Sequence, residues 1–371
     1  MSTKVIQVRS LQDGAAAARQ GADALKAGKL VGFATETVYG IAADASNADT
    51  MDRLRELKSR PTRPFSVHLG RPQDAYRYIA DMPTVARTII RKGWPGPVTL
   101  LVPTGGRLAD RTLGGPTLYA RLCQDDIIGL RCPDEPTTAA MLTEAGVPIV
   151  APSANLAGAP SPRTAADVLA ALDGRIDLLI DSGPTRCGKD STIVQVSDTG
   201  WKVVRAGVHD AVTIRSLATL TVLFVCTGNT CRSPMAEGLA VKLLSEKLHC
   251  RPAELVDRGY SVLSAGVAGA PGFGPTPEAA AAAKKLGADI AGHRSRKLTS
   301  ELIHSADMIF CMTDFHVEEV RSLAPDNSQK VQRLDATADI PDPIGHGPDV
   351  YLRTARRILK AVQDALDTRL P

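Results

Sequence analysis

The segment Leu220-Thr221-Val222-Leu223-Phe224-Val225-Cys226-Thr227-Gly228-Asn229-Thr230-Cys231-Arg232-Ser233-Pro234 carries the architectural signal of the second half of the chain. Residues 220–225 are almost continuously apolar, as in a strand buried on both faces. Residues 226–232 break that pattern and read as a loop. Ser233 stands where a helix N-cap belongs, and Pro234 where the first helical turn tolerates proline, with a helix expected over 235–248. Further helices are expected over 278–286, 300–305 and 348–370, and a strand over 308–312. Strand, loop and helix in repetition predict an α/β unit with a doubly wound parallel sheet and helices on both faces.

The loop also carries chemistry. Five residues separate Cys226 from Arg232, between a strand end and a helix start. A loop in that place turns backbone N–H groups toward one point, and the helix N-terminus adds positive potential. Gly228 permits backbone conformations that other residues resist. Arg232 offers a planar fork for two oxygens of a phosphate. The same field favours a thiolate at Cys226, the reactive form of cysteine. Thr227, Asn229, Thr230 and Cys231 complete the loop, and Ser233 can hydrogen-bond the sulfur. A phosphoryl transfer through cysteine needs a proton for the leaving group. Asp342 is the candidate, held between two prolines in Ile340-Pro341-Asp342-Pro343. The Cys–Arg spacing alone arises by chance; the flanking elements and the distant Asp-Pro make it specific.

Upstream, strands are expected over 30–34, 98–102, 148–151, 178–180, 192–196 and 201–204, and helices over 10–28, 48–58 and 83–92. Thr35-Glu36-Thr37-Val38-Tyr39-Gly40 follows a strand, and its hydroxyls suit a small polar substrate. Lys58-Ser59-Arg60-Pro61 places two cations close together, as polyphosphate requires. Ser153-Ala154-Asn155 leaves a strand, where α/β-type sheets place ligands. Lys189-Asp190-Ser191-Thr192 opens another strand.

The chain has 371 residues, enough for about two domains. The pattern restarts after a weakly patterned stretch, so the expected division is 1–208, a linker at 209–219, and 220–371. Lys and Arg total 44 against 40 Asp and Glu, a net charge of +4. The excess lies before residue 220, and residues 51–100 hold ten basic side chains against four acidic ones. That local excess suits nucleotide or nucleic acid. None of the seven cysteines forms a Cys-x2-Cys pair, so no zinc ribbon is expected. Their scatter suggests a reducing compartment. No apolar run approaches the roughly 20 residues of a membrane helix, and no signal peptide is evident. A soluble cytoplasmic protein with no membrane partner and no bound structural metal is expected.

Residues 221–370 resemble the low-molecular-weight protein phosphatases, on the phosphate loop, Ser264-Ala265-Gly266, His293-Arg294-Ser295-Arg296, Cys311-Met312-Thr313 and Asp342-Pro343. The resemblance implies Cys226 as nucleophile, Arg232 as phosphate binder and Asp342 as proton donor, with a phosphoprotein substrate and no cofactor. Thr230 and Thr227 look like the protein-arginine-phosphatase branch, whereas tyrosine-directed members carry aromatics where Ile344-Gly345 stands. Arsenate reduction, a third branch, would need resolving cysteines, and Cys311 alone lies in a comparable region. Cys231 could form a protective disulfide with Cys226.

Residues 12–208 resemble the threonylcarbamoyl-adenylate synthases, the YrdC-like family. The match rests on the motifs above together with Ser66-Val67-His68, Trp94-Pro95-Gly96-Pro97-Val98-Thr99, Arg131-Cys132-Pro133, Ser161-Pro162 and Arg205-Ala206-Gly207. It implies a twisted mixed sheet and a reaction of L-threonine, bicarbonate and ATP with Mg2+, serving tRNA t6A modification. Lys58, Arg60, Ser153, Asn155, Ser161 and Arg205 would hold ATP. Thr35, Thr37, His68, Arg131 and Ser191 would face threonine. The partners it implies are the tRNA-modification machinery or RNA. A non-catalytic RNA- or nucleotide-binding module is the alternative for this half, and a tyrosine phosphatase or arsenate reductase for the other.

Overall fold

A computed structural model describes residues 2–60 and 62–369. Pro61 of the Lys58–Pro61 motif and Leu370 of the expected last helix lie outside the described residues. The chain divides into Met1–Ala218 and Thr219–Pro371.

In the first unit the apolar runs become strands of a single mixed sheet. Strand Leu178–Asp181 lies between Lys4–Gln7 and Val31–Phe33 and is parallel to both. Val31–Phe33 pairs antiparallel with Gly40–Asp44, which pairs antiparallel with Ile149–Val150. Val67–His68 joins Ile149–Val150 to Ile127–Arg131. The far edge runs through Val98–Pro103 and Thr192–Ser197 to Gly200–Arg205. Gly40–Asp44 and Ile127–Arg131 were not anticipated, because Gly and Asp break their apolar pattern.

Helices Leu11–Lys26 and Pro136–Ala145 pack together on one face. Ala17, Ala18, Ala22 and Leu25 meet Met141, Leu142 and Ala145 there. The first of these helices starts as expected, with Ser10 Oγ accepting from Asp13 N at 3.1 Å. A larger core on the other side includes Met51 and Leu54 of Ala48–Leu57, Ile89 of Thr84–Gly93, and Val168 and Leu172 of Ala165–Leu172.

The stretch expected as a linker belongs instead to this core. Residues Ala211–Ala218 form a helix in which Ile214 and Ala218 are fully buried. Arg215 lies over the Trp201 ring at 5.9 Å. Its apolar positions are few and spaced three or four apart, which suffices for one buried stripe.

The second unit is a four-stranded parallel sheet in the order Tyr260–Gly266, Leu220–Cys226, Met308–Cys311, Val331–Arg333. Side chains alternate along Leu220–Cys226: Val222 and Phe224 enter one core, Leu223 and Val225 the other. Helices Arg232–Lys247, Pro277–Lys285 and Pro348–Arg369 cover the first face. Ser300–Ser305 and Asp314–Leu323 cover the second. The chain leaves Leu220–Cys226 toward one neighbour and returns on the other side, so Cys226 sits at a topological switch point.

Candidate active sites

In the second unit the phosphate loop closes over Gly266. Val267 N donates to Cys226 O and Ala268 N to Thr227 O, both at 3.0 Å. A Cβ on Gly266 would lie 2.5 Å from Thr227 O and 2.9 Å from Asn229 N, so glycine is required for this approach. Asn229 adopts a left-handed φ of 56°, which Asn tolerates better than most residues. Its side chain is saturated. Nδ2 donates to Ser233 Oγ at 2.9 Å and Ser264 Oγ at 2.8 Å, and Oδ1 accepts from Arg296 N at 2.8 Å. His293 Nε2 donates to Asn229 O at 2.9 Å.

Cys226 Sγ lies 2.9 Å from Ser233 Oγ and accepts from Asn229 N at 3.3 Å. The helix starts at Arg232, one residue before the expected cap, with Cys231 preceding it. Ser233 does not cap because its hydroxyl serves the thiol. The expected thiolate-favouring field is present but outweighed. Burial is the largest influence and pushes the thiol up, while Ser233, Arg232 and the Asn229 N–H act to lower it.

Arg232 is buried. Its Nη1 donates to Ile340 O at 3.1 Å, and Nη2 reaches Asp342 Oδ2 and, at 3.5 Å, Thr227 Oγ1. Its Nε has no partner. Asp342 is at the mouth, with 40% of its side chain exposed. Ile340 N donates to Met312 O at 2.8 Å, which ties the Asp-Pro loop to the sheet. Thr230 holds the loop by its backbone, accepting from Thr276 N at 3.0 Å. Cys231 Sγ turns away to Tyr351 OH and Thr276 Oγ1, each at 3.5 Å. All seven cysteines are free. Two neighbours were missed in the sequence: Tyr351, and His316, whose Nε2 lies 2.9 Å from Thr227 Oγ1. The signal for His316 was its place just after the Cys311-Met312-Thr313 strand end.

In the first unit a cavity of about 530 Å³ gathers Lys58, Arg60, His68, Arg131, Ser153, Ser191 and Arg205. Lys58 Nζ donates to Ser153 O at 2.9 Å, Asn155 O at 2.6 Å and Asn155 Oδ1 at 2.8 Å. Burial, then Arg60, lower its pKa to about 8. Arg60 stacks on Phe65 at 5.2 Å and leaves its buried Nε without a partner. Arg205 Nη2 donates to Ser191 O at 2.9 Å and Ser191 Oγ at 3.2 Å. His68 is held neutral: burial, then Arg131, push its pKa down to about 3.

Asn155 and Ser161 line a neighbouring cavity of about 610 Å³, which shares Val38 and Asp190 with the first. Ser161 Oγ donates to Asp190 Oδ1 at 2.9 Å. Thr35 and Thr37 are buried behind Arg131, whose Nη2 donates to Thr37 Oγ1 at 2.6 Å and Thr35 Oγ1 at 3.4 Å. Their hydroxyls therefore act on the cavity through Arg131. Glu36 was missed as a site residue although its segment was noticed. Its carboxylate pairs with Arg131 at 3.1 Å and accepts from Asp134 N at 3.0 Å. Arg63 and Asp190 also line the cavity.

These two sites define a class: an α/β unit with a cationic, nucleotide-sized cleft, followed by one with a cysteine phosphate loop. The Sua5_yciO_yrdC family model, described as telomere recombination, matches residues 23–207. The LMWPc model, low molecular weight phosphotyrosine protein phosphatase, matches residues 221–370. A threonylcarbamoyl-AMP synthase of Halorhodospira halophila is 32% identical over 46% of this chain and 83% of its own length. That of Bacillus subtilis is 37% identical over 51% of this chain and 52% of its own. The chain thus spans about half the length of the first curated relatives it matches. The structure of a YwlE mutant from Bacillus subtilis is 32% identical over 40% of this chain and 97% of that one, with a TM-score of 0.36. The chain belongs to the Sua5/YciO/YrdC family in its first half and carries a low-molecular-weight phosphatase domain in its second, a fusion of the two. Among the described residues no helix is long and apolar enough to cross a membrane.

Proposed function

We propose that the first half condenses L-threonine, bicarbonate and ATP into threonylcarbamoyl-AMP and pyrophosphate. The observation that carries this is the convergence of Lys58, Arg60, Arg131 and Arg205 on one cavity with the Ser153 and Ser191 hydroxyls. A carbamate oxygen of carboxylated threonine attacks the α-phosphorus, and pyrophosphate leaves. Lys58, Arg60 and Arg205 neutralise the charge that builds on the phosphates. Arg131, fixed from behind by Glu36 and Thr37, presents its free edge to the amino-acid carboxylate. Magnesium is expected to enter with ATP, held by phosphate oxygens. The charged lining, five cations against Asp125 and Asp190, suits the phosphates more than the ion. The product would feed tRNA modification. The test is pyrophosphate release that requires both threonine and bicarbonate. If Lys58→Ala lowers only salt-dependent RNA affinity and no release occurs in the unmodified protein, this half is a binding module instead.

The second half, in the same reading, hydrolyses phosphorylated side chains of a protein substrate. The Cys226–Ser233–Arg232 arrangement carries this. The Cys226 thiolate attacks phosphorus while the P–O or P–N bond to the substrate breaks, and Asp342 delivers the proton to the leaving group. Asp342 then takes a proton from water as it attacks the S–P bond, and Ser233 stabilises the departing thiolate. Phosphoarginine is favoured over phosphotyrosine. Thr230 and Thr227 line the loop with hydroxyls, and Ile344, exposed beyond Asp342-Pro343, offers no aromatic wall. A higher kcat/KM on phosphotyrosine peptides than on phosphoarginine peptides would overturn that preference. Arsenate reduction fits less well, since Cys311 is fully buried and burial pushes its thiol far up.

A further inference from the structure

His316 lies outside the phosphate loop yet touches it. It is 2% exposed, in the first turn of Asp314–Leu323. Its Nδ1 is 2.6 Å from Thr313 Oγ1, and its Nε2 is 2.9 Å from Thr227 Oγ1. Thr313 is itself fixed, because the same oxygen caps the helix by accepting from His316 N at 3.4 Å. The ring edge contacts Phe315, with centroids 5.5 Å apart. Burial, with Arg232 next, pushes the imidazole pKa down to about 4, so the ring is neutral and has one donor and one acceptor nitrogen. Arg232, Asp342 and Asp339 are the charged groups that act on it.

Thr227 Oγ1 also accepts from Arg232 Nη2 at 3.5 Å. Its own proton cannot point at a guanidinium that is donating to the same oxygen. The hydroxyl therefore bridges the imidazole and the guanidinium in either tautomer of His316. Thr227 is otherwise an exposed loop side chain that would rotate freely. Arg232 has one backbone tether on Nη1, the Asp342 carboxylate beside Thr227 on Nη2, and no partner on Nε.

We propose that His316 is a positioning residue: through the Thr227 hydroxyl it sets the plane of the Arg232 guanidinium, and hence the loop's affinity for a tetrahedral oxyanion. This rests on the phosphatase reading of the loop. The effect falls on oxyanion binding more than on turnover, because His316 touches neither the sulfur nor Asp342 directly. A Gln amide reaches about as far as Nε2, and an Asn amide about as far as Nδ1. His316→Gln therefore keeps the contact to Thr227, and His316→Asn keeps only the contact to Thr313.

The test uses the full chain with inorganic phosphate and vanadate as probes, measured as competitive inhibitors and by direct titration. His316→Asn should weaken both about tenfold or more and raise KM by a similar factor, with kcat changed less than about threefold. His316→Gln should stay within about threefold of the unmodified protein. Thr227→Val should match the loss in His316→Asn, and adding His316→Asn to it should cost nothing further. Equal losses in the Gln and Asn variants, or additive losses in the double variant, would overturn the proposal. If the unmodified chain binds neither oxyanion, the phosphatase reading fails first. If His316→Asn does not fold, the Gln variant and Thr227→Val still decide.

Discussion

Single residues set the pH behaviour expected of each site. Lys58 is the clearest case, because burial and Arg60 bring its ammonium to about 8. Its folded-state pKa is lowered, so the proton needed to hold a phosphate is lost as pH rises through that value. KM for ATP should rise about tenfold between about pH 7 and about pH 9, and Lys58→Arg should flatten that limb. In Cys226 the sign runs the other way, since the proposed chemistry uses the thiolate. Ser233 lowers the thiol against the upward push of burial. Ser233→Ala should shift the acid limb of kcat/KM for phosphatase activity to higher pH by about one unit, read from a pH–rate profile. The grouping of these residues was partly legible in advance. Cys226, Ser233 and Arg232 lie within eight consecutive residues, so local spacing was enough to group them. Glu36 and His316 were not legible as site residues. Glu36 meets Arg131 across 95 residues of chain, and His316 meets Thr227 across 89.

Elements position these residues through close backbone approach and shared cores. Strand Tyr260–Gly266 runs beside Leu220–Cys226, and its last residue is the floor of the phosphate loop. Gly266→Ala would drive a methyl into the backbone of Thr227 and Asn229. Phosphatase kcat/KM should fall about 100-fold, with a much smaller change in Tm. A loss seen mainly in Tm would mean that the strand rather than the loop was disturbed. Helix Ala211–Ala218 carries a stability prediction. It buries Ile214 completely in the first core. A fragment ending at residue 208 should be less stable than one ending at 218 by about 2 kcal/mol, seen as a Tm lower by about 5 °C. The expected linker failed for a physical reason: eight residues with a narrow apolar stripe look solvent-facing until a groove is there to receive them.

At the scale of the whole molecule, each unit has its own sheet, cores and candidate site. Cys226→Ser should abolish phosphate release from phosphoprotein and leave threonine-dependent pyrophosphate release within about twofold of the unmodified chain. A larger drop in the second assay would show that the two chemistries are not separable.

The amino-acid sequence alone determined that there are two α/β units, that the second holds a loop with Cys226 and Arg232 between a strand and a helix, and which cations gather in the first. Those features are written in short contiguous motifs and in hydrophobic period, which chain neighbours suffice to reveal. Only the tertiary structure decided the strand order of the mixed sheet and the docking of Ala211–Ala218. It alone also placed Thr35 and Thr37 behind Arg131 and tipped the balance of forces on the Cys226 thiol. Each of these depends on which distant segments exclude water from one another, and desolvation is a property of the packed whole rather than of any stretch of sequence.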